Sequence, residues 1–353
     1  MYSRQFTQPP EYIIHKHKAV FGTFSGVSPA IDISGMRAPY AGIPFPTFIT
    51  KLRIKSRINY VFSTGRFIGL AEIMDFKAFG LAEIIFWNKE NAKRYVYHTV
   101  MAPRRRFIPL VTKRGICASY RKSRFIKISW GRNHQHGAMT FSVKGDRDGS
   151  RPNAEGYFYS RIDDDFHTDC MFINPSPASS RCSATWFTTM SVNGHIAINK
   201  EEADDSPGLA IMNINRTYIK VHSKIKIAYG LGTFRDRKIA FQLKNSNLDA
   251  ADSDSYNDNV LVVDGKQTAL PSVYMTHPFG IDQKWIIQDT ESMVDLSFTP
   301  LSTNSRTLNI IAVRSSDNTM FGTFEGVLMT GEGEKITLKN FPGILYRNLI
   351  RII

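Results

Sequence analysis

Few windows of this chain carry a helical period, whereas short β-branched and aromatic runs separated by Gly, Pro, Asn or Asp recur from end to end, and that pattern constrains it to an all-β fold. Lys51-Leu-Arg-Ile-Lys-Ser-Arg-Ile58 places Lys51, Arg53, Lys55 and Arg57 on one face and Leu52, Ile54 and Ile58 on the other. This is the period of a half-buried strand that displays a cationic row. Two copies of Gly-Leu-Ala-Glu-Ile follow at 69–73 and 80–84, a spacing that suits consecutive strands of a meander. Phe21-Gly-Thr-Phe-Ser-Gly-Val27 and Phe321-Gly-Thr-Phe-Glu-Gly-Val327, with an echo at Gly232-Thr-Phe234, read either as a duplicated barrel or as a generic strand motif. In such a motif glycine permits a bend and the ring fills the gap.

A length of 353 residues exceeds one ordinary core, so two β lobes with large antiparallel sheets are expected. Asn174-Pro-Ser-Pro-Ala-Ser-Ser180 reads as the linker and 201–208 as a second loop, which divides the chain into an arm (1–18), a basic lobe (19–180) and a C-terminal lobe (181–353). The arm offers Tyr12, Ile13 and Ile14 for docking. Asp249 to Asp258 is an acidic stretch before the strand 259–264, and Asp264-Gly265 is a hairpin turn.

The net charge of +14 is concentrated in one segment. Residues 51–151 hold 22 Lys/Arg against six Asp/Glu, a net +16, while residues 1–50 carry +2 and residues 152–353 carry −4. A local excess of that size points to a polyanionic partner. The N-terminus has no apolar secretory stretch, no later run approaches membrane-spanning length, and Pro9 and Pro10 interrupt any amphipathic presequence helix. Cys117, Cys170 and Cys182 fit neither a CxxC pair nor a zinc spacing and are read as buried thiols in a reducing compartment.

Motifs that carry chemistry are sparse. Asp163-Asp164-Asp165 with His167 crowds oxygen ligands near an imidazole but lacks the Gly turn and distal Glu of a calcium loop, so a solvated turn is favoured. His134-Gln-His136 would put two imidazoles on one strand face without a third ligand, and His15-Lys-His17 belongs to the basic arm. No nucleophile elbow, Walker loop or dinucleotide fingerprint occurs, so no metal and no cofactor are expected.

From about residue 50 onward the chain resembles the domain-of-unknown-function family 2804. The matching stretches are Leu52-Arg-Ile-Lys leading into the Gly-Leu-Ala-Glu-Ile meander, Asn259-Val-Leu-Val-Val-Asp-Gly-Lys266, Val294-Asp-Leu-Ser-Phe-Thr-Pro300, Phe321-Gly-Thr-Phe-Glu-Gly326 and Gly331-Glu-Gly-Glu-Lys-Ile336. The resemblance implies two lipocalin-like halves, similar to carotenoid hydratases, without a known activity. Three elements depart from the family pattern. Its Asp-Trp-x-Arg-Gly reads Asn213-Ile-Asn-Arg216-Thr217, its Glu-Asn pair reads Asp258-Asn259, and its Gly-x-x-Glu reads Gly343-Ile-Leu-Tyr346. If the family carboxylates do acid–base chemistry, the candidates left here are Arg216, Asp258 and Asn259.

The favoured expectation is therefore a non-catalytic assembly protein, cytoplasmic with a cytoskeletal or ciliary place, that docks by a basic face. Its docking residues would be Lys51, Arg53, Lys55, Arg57, Arg104, Arg105, Arg106, Lys113, Arg114, Arg121, Lys122, Arg124, Lys127 and Arg132. Tyr95, Tyr97, Phe107, Tyr120, Phe125 and Trp130 interleave with them. Arg beside aromatics suits RNA, and Arg and Lys pair equally with an acidic protein lattice such as tubulin, which is the favoured partner in a larger assembly. The alternatives are a lipocalin-like enzyme or carrier for an apolar small molecule, which requires an open cavity, and an RNA-binding component of a ribonucleoprotein.

Overall fold

Alternation of apolar and polar residues, not helical period, sets the architecture of the computed structural model, which describes residues 2, 4–36, 51–104, 106–146, 151–160, 164–176, 181–199, 201–310 and 313–352. The N-terminal segment carries β1 (Ile14–His15), β2 (Lys18–Ala19) and β3 (Gly22–Ser25). A meander follows: β4 (Ile54–Ser63), β5 (Phe67–Asp75), β6 (Gly80–Asn88) and β7 (Arg94–Met101). The first sheet continues with β8 (Gly115–Ala118), β9 (Arg124–Arg132), β10 (Gln135–Val143), β11 (Ala154–Ser160), β12 (Thr168–Ser176), β13 (Arg181–Ile198) and β14 (Gly208–Tyr218). The second sheet holds β15 (His222–Phe234), β16 (Arg237–Ser246), β17 (Val260–Val263), β18 (Lys266–Ala269), β19 (Tyr274–Thr276), β20 (Trp285–Gln288), β21 (Val294–Ile310), β22 (Val313–Met329) and β23 (Lys335–Ile352). The fold is all-β, and every ladder between these strands is antiparallel.

The 12-stranded sheet runs β7-β6-β5-β4-β14-β13-β11-β10-β9-β8, with β12 and β3 attached at β13, and the 9-stranded sheet runs β18-β17-β16-β15-β23-β22-β21-β20-β19. The chain crosses between them after Tyr218, not at residue 180. The expected linker is instead a strand end: Asn174, Pro175 and Ser176 pair with Ser183, Cys182 and Arg181, and residues 177–180 lie outside the described ones. Proline near the mouth of a hairpin costs little ladder bonding, which is why composition misleads there. The 201–208 loop does lie between strands, joining β13 to β14. The repeated Gly-Thr-Phe motifs fall on β3, a short attachment to β12, and on β22, which lies between β21 and β23, so they do not mark equivalent strands. The Asp264-Gly265 turn forms, with both residues at positive φ (49° and 80°).

Side chains fill both lobes. Tyr60, Phe62, Phe86, Phe141, Phe158 and Trp130 pack inside the first, and Phe241, Trp285, Phe298, Phe324 and Phe341 inside the second. Glycine makes room for these rings. A Cβ at Gly115 would come within 2.1 Å of the Trp130 ring, and one at Gly343 within 2.0 Å of Phe324.

The arm straps the lobes together. Ile13 is buried in the first core while Tyr12 is exposed, and the Arg4 guanidinium donates to the carbonyls of Asn257 (2.8 Å), Asn259 (3.0 Å) and Leu270 (3.0 Å) in the second lobe. Cys117, Cys170 and Cys182 are free and buried, and burial pushes each thiol up, Cys182 to about 12. The native protein is expected to leave an aromatic disulfide reagent unreacted until denaturant is added. Fast release of even one equivalent would contradict this packing.

Candidate functional site

Where the two sheets face each other the first presents an apolar surface, built by Val61, Ile68, Leu70, Ile85, Leu209 and Ile211. One transverse row breaks it. Ladder register places Asn213 on β14 opposite Asn59 on β4, Asn59 opposite Glu72 on β5, Glu72 opposite Glu83 on β6, and Glu83 opposite His98 on β7. Two carboxylates directly across a strand pair repel, and burial adds a desolvation cost, so the row needs a counterpart.

The second lobe supplies it. Arg306 on β21, Asp317 on β22 and Asn348 on β23 stand in register with one another. Arg306 donates to Glu83 and to Asp317 Oδ2 at 2.8 Å. Arg57 Nε pairs with Glu72 Oε2 at 3.1 Å and Arg57 Nη2 donates to the Tyr346 hydroxyl at 2.9 Å, which in turn donates to Asp317 Oδ1 at 2.9 Å. Asn59, with its amide nitrogen turned to Glu72 Oε2 at 3.0 Å, accepts from the Tyr229 hydroxyl at 3.1 Å. Three carboxylates thus share two guanidinium groups in a buried seam. Burial pushes the Glu83 carboxyl up to about 7 against the pull of Arg306, and it raises Glu72 as well.

Beside the row lies a cavity of about 60 Å³, with Ile225, Ile227, Ile350, Asn213, Gln242 and Asp258 among its lining residues. That is space for a few water molecules and far below the roughly 300 Å³ of the smallest drug-sized pockets. Buried Asp258 accepts from Asn174 Nδ2 (2.5 Å) and Thr185 Oγ1 (3.0 Å) and pairs with Lys244 Nζ (2.7 Å). Of the three residues nominated from sequence, Asp258 alone reaches this cavity. Arg216 turns into the first lobe, where burial lowers it to about 10 and it donates to Ser56 Oγ (2.7 Å) and to the carbonyls of Ile108 (2.9 Å) and Pro109 (2.8 Å). Asn259 braces backbone, accepting from Lys244 N at 2.7 Å and donating to Pro271 O at 2.6 Å.

The expected cationic row is present but covered. The strand begins at Ile54, and its alternation sends Ile54 and Ile58 to the first core while Lys55 and Arg57 meet the second lobe. Lys55 Nζ donates to the carbonyls of Leu52 (3.0 Å) and Phe76 (2.6 Å), and burial lowers it to about 8. Arg53 donates to Ile219 O at 2.9 Å, and Arg124 pairs with Asp146 at 3.3 Å. Lys127 is half-buried on β9, and Lys51 is exposed before β4.

Arg104, Arg106, Lys113, Arg114, Arg121, Lys122 and Arg132 are exposed, and among the described residues none has a carboxylate within ion-pair distance. Arg105 lies outside the described residues. They gather around the β8–β9 hairpin. The Arg104 guanidinium sits 3.6 Å over the Tyr120 ring, joining the segment after β7 to the 119–123 turn. At the other end Gly131, with φ +60°, lets the Lys113 carbonyl come where a Cβ would stand at 1.9 Å, which brings Lys113 and Arg114 beside Arg132. Of the interleaved aromatics Tyr95, Tyr97, Phe107 and Trp130 are buried, Phe125 is half-buried, and Tyr120 is 63% exposed.

No group of three potential metal ligands forms among the described residues. Asp163 lies outside them. Asp164 accepts from the Phe166 and Ser191 backbone, and exposed Asp165 pairs with Lys238 at 2.6 Å. His134 occupies a turn at φ +55°, so it does not share a strand face with His136, whose ring stacks on His167 at 3.5 Å.

Residue-by-residue reading missed Glu72 and Glu83. The twin Gly-Leu-Ala-Glu-Ile copies placed both on neighbouring strands, and the register of that one hairpin sets Glu72 opposite Glu83.

The family described as domain of unknown function (DUF2804) matches residues 47–348, and the chain belongs to it. No curated protein matches the chain. The solved structure of kievitone hydratase from Nectria haematococca is similar at a TM-score of 0.39 and 10% identity, covering 84% of this chain and 88% of that one. Asn213, Asp258 and Tyr346 all lie at the interlobe seam.

Proposed function

For this member of the DUF2804 family we propose a non-catalytic role: it docks through the basic edge around β8 and β9 on an acidic macromolecular surface, with an acidic protein lattice such as tubulin favoured over RNA. The observation that carries this reading is the cluster of seven exposed cations, Arg104, Arg106, Lys113, Arg114, Arg121, Lys122 and Arg132, without carboxylate partners among the described residues. Cations that meet no internal anion keep their field for an outside partner. Two further features support it. Side chains fill both lobes, and the seam carboxylates are each held by a guanidinium group, so they serve cohesion rather than turnover. RNA is the weaker partner because stacking platforms need exposed rings, and of the interleaved aromatics only Tyr120 is fully exposed.

Cosedimentation with microtubules and with RNA at about 50 mM and about 200 mM salt tests the proposal, since phosphate or carboxylate pairing should weaken steeply over that range. A variant carrying Arg104→Ser, Arg106→Ser, Arg114→Ser and Arg121→Ser should fold as the parent, because exposed charges add about 0–1 kcal/mol each at most, yet bind at least tenfold more weakly. Absence of binding to either lattice at low salt would sink the reading.

A further inference from the structure

A second concave surface holds a guanidinium, that of Arg94, with no carboxylate partner among the described residues. It is a groove of about 700 Å³ at the open end of the seam, lined by the seam-facing side of β7 and by residues 304–306 of β21, with Glu83 among its lining residues. Alternation along Arg94-Tyr-Val-Tyr-His98 buries Tyr95 and Tyr97 and leaves Arg94 and His98 facing the groove. Arg94 donates to Ser302 Oγ at 3.1 Å and to Thr303 O, both on β21, but meets no carboxylate among the described residues. His98 has no hydrogen-bond partner among them.

Lys93 and Arg151 also line the wall, each already paired, Lys93 with Glu201 and Arg151 with Asp146 at 3.3 Å. Its two carboxylates are already engaged, Glu83 by Arg306 and Glu201 by the Tyr95 hydroxyl at 2.8 Å and Lys93 at 3.4 Å. Burial and the fields of Arg306, Arg151 and Arg124 hold the His98 imidazole below its ordinary range. A field that suppresses its own histidine is one that a bound anion would relieve.

We propose that this groove binds a small, multiply charged anion bearing phosphate or several carboxylates, with Arg94 and His98 as the donors that meet it. The volume lies within the roughly 300–1,000 Å³ of small-molecule sites, and a guanidinium with a free edge suits planar bidentate recognition of either anion. Each lobe contributes one wall, so occupancy would bind β7 to β21.

Calorimetric titration of the full chain with pyrophosphate and with citrate, at low ionic strength and neutral pH, should show one saturable site. Arg94→Ala combined with His98→Ala should weaken it at least tenfold, and Arg94→Lys with His98→Asn should recover part of the loss, with thermal melts of both variants reporting folding. The four-arginine edge variant should bind the anion as the parent does, so this site and the docking surface stand or fall separately. Binding of pyrophosphate alone would assign a phosphate-bearing ligand, of citrate alone a polycarboxylate, and of both a site selective for charge. No saturable binding of either, or equal weakening by the edge and groove variants, would overturn the proposal.

Discussion

Arg306→Ala should lower the unfolding free energy by about 3–5 kcal/mol, the cost typical of removing one partner from a buried ion pair. The single guanidinium serves two carboxylates, Glu83 and Asp317, from opposite lobes, and Glu72 lies directly across β5–β6 from Glu83. Without it Glu83 and Asp317, both buried, lose their shared cation. Arg306→Lys should lose less, keeping the charge while giving up the planar fork that reaches both acceptors. Urea unfolding checks the order of the three proteins. A loss below about 1 kcal/mol for the alanine variant would mean that the seam is solvated and contributes like a surface pair.

Between about pH 4.5 and about pH 7 the protein should lose stability as pH rises, the reverse of the usual acid-side behaviour. The unfolded Glu83 side chain titrates near an ordinary carboxyl value, whereas burial in the folded protein pushes it up to about 7. Over that interval the folded state binds the additional proton, so its contribution is complete below the unfolded value and declines as pH climbs through the folded one. A gap of that size corresponds to roughly 3 kcal/mol as an upper bound. Glu72 and Asp249 act in the same sense, each raised by burial, Asp249 to about 6. Glu83→Gln should flatten part of the slope, chiefly its upper end towards pH 7, while keeping an acceptor for Arg306. An unchanged slope would assign the titration to the other two groups.

The all-β class, the meander of β4 to β7 and the Asp264-Gly265 hairpin were legible because they depend on local alternation and turn chemistry. The lobe boundary was not. Pro175 sits in a ladder with Cys182, and no local composition distinguishes a hairpin mouth from a linker. The cationic strand shows the same limit from the other side. Its period of two was read from the residues, yet which face becomes surface depends on a lobe that begins more than 150 residues later. Lys55 and Arg57 are therefore covered, while Arg104, Arg106 and Arg114 remain outside, although charge count alone treats them alike. The seam required register across five strands, information that exists only between strands. The Glu72–Glu83 pair needed only the register of one hairpin.

The N-terminal strap bears on how the chain is made. Arg4 reaches carbonyl acceptors as far along as Leu270, so its berth does not exist until that part of the polypeptide has left the ribosome. Until then the first lobe waits with its seam face bare, an apolar sheet surface crossed by Glu72 and Glu83 without Arg306 to meet them. At about 5–20 residues per second the stretch from Tyr218 to Arg306 takes about 4–18 seconds to make, long enough for a nascent chain to need shielding by a chaperone or to pair wrongly with a neighbour on the same message.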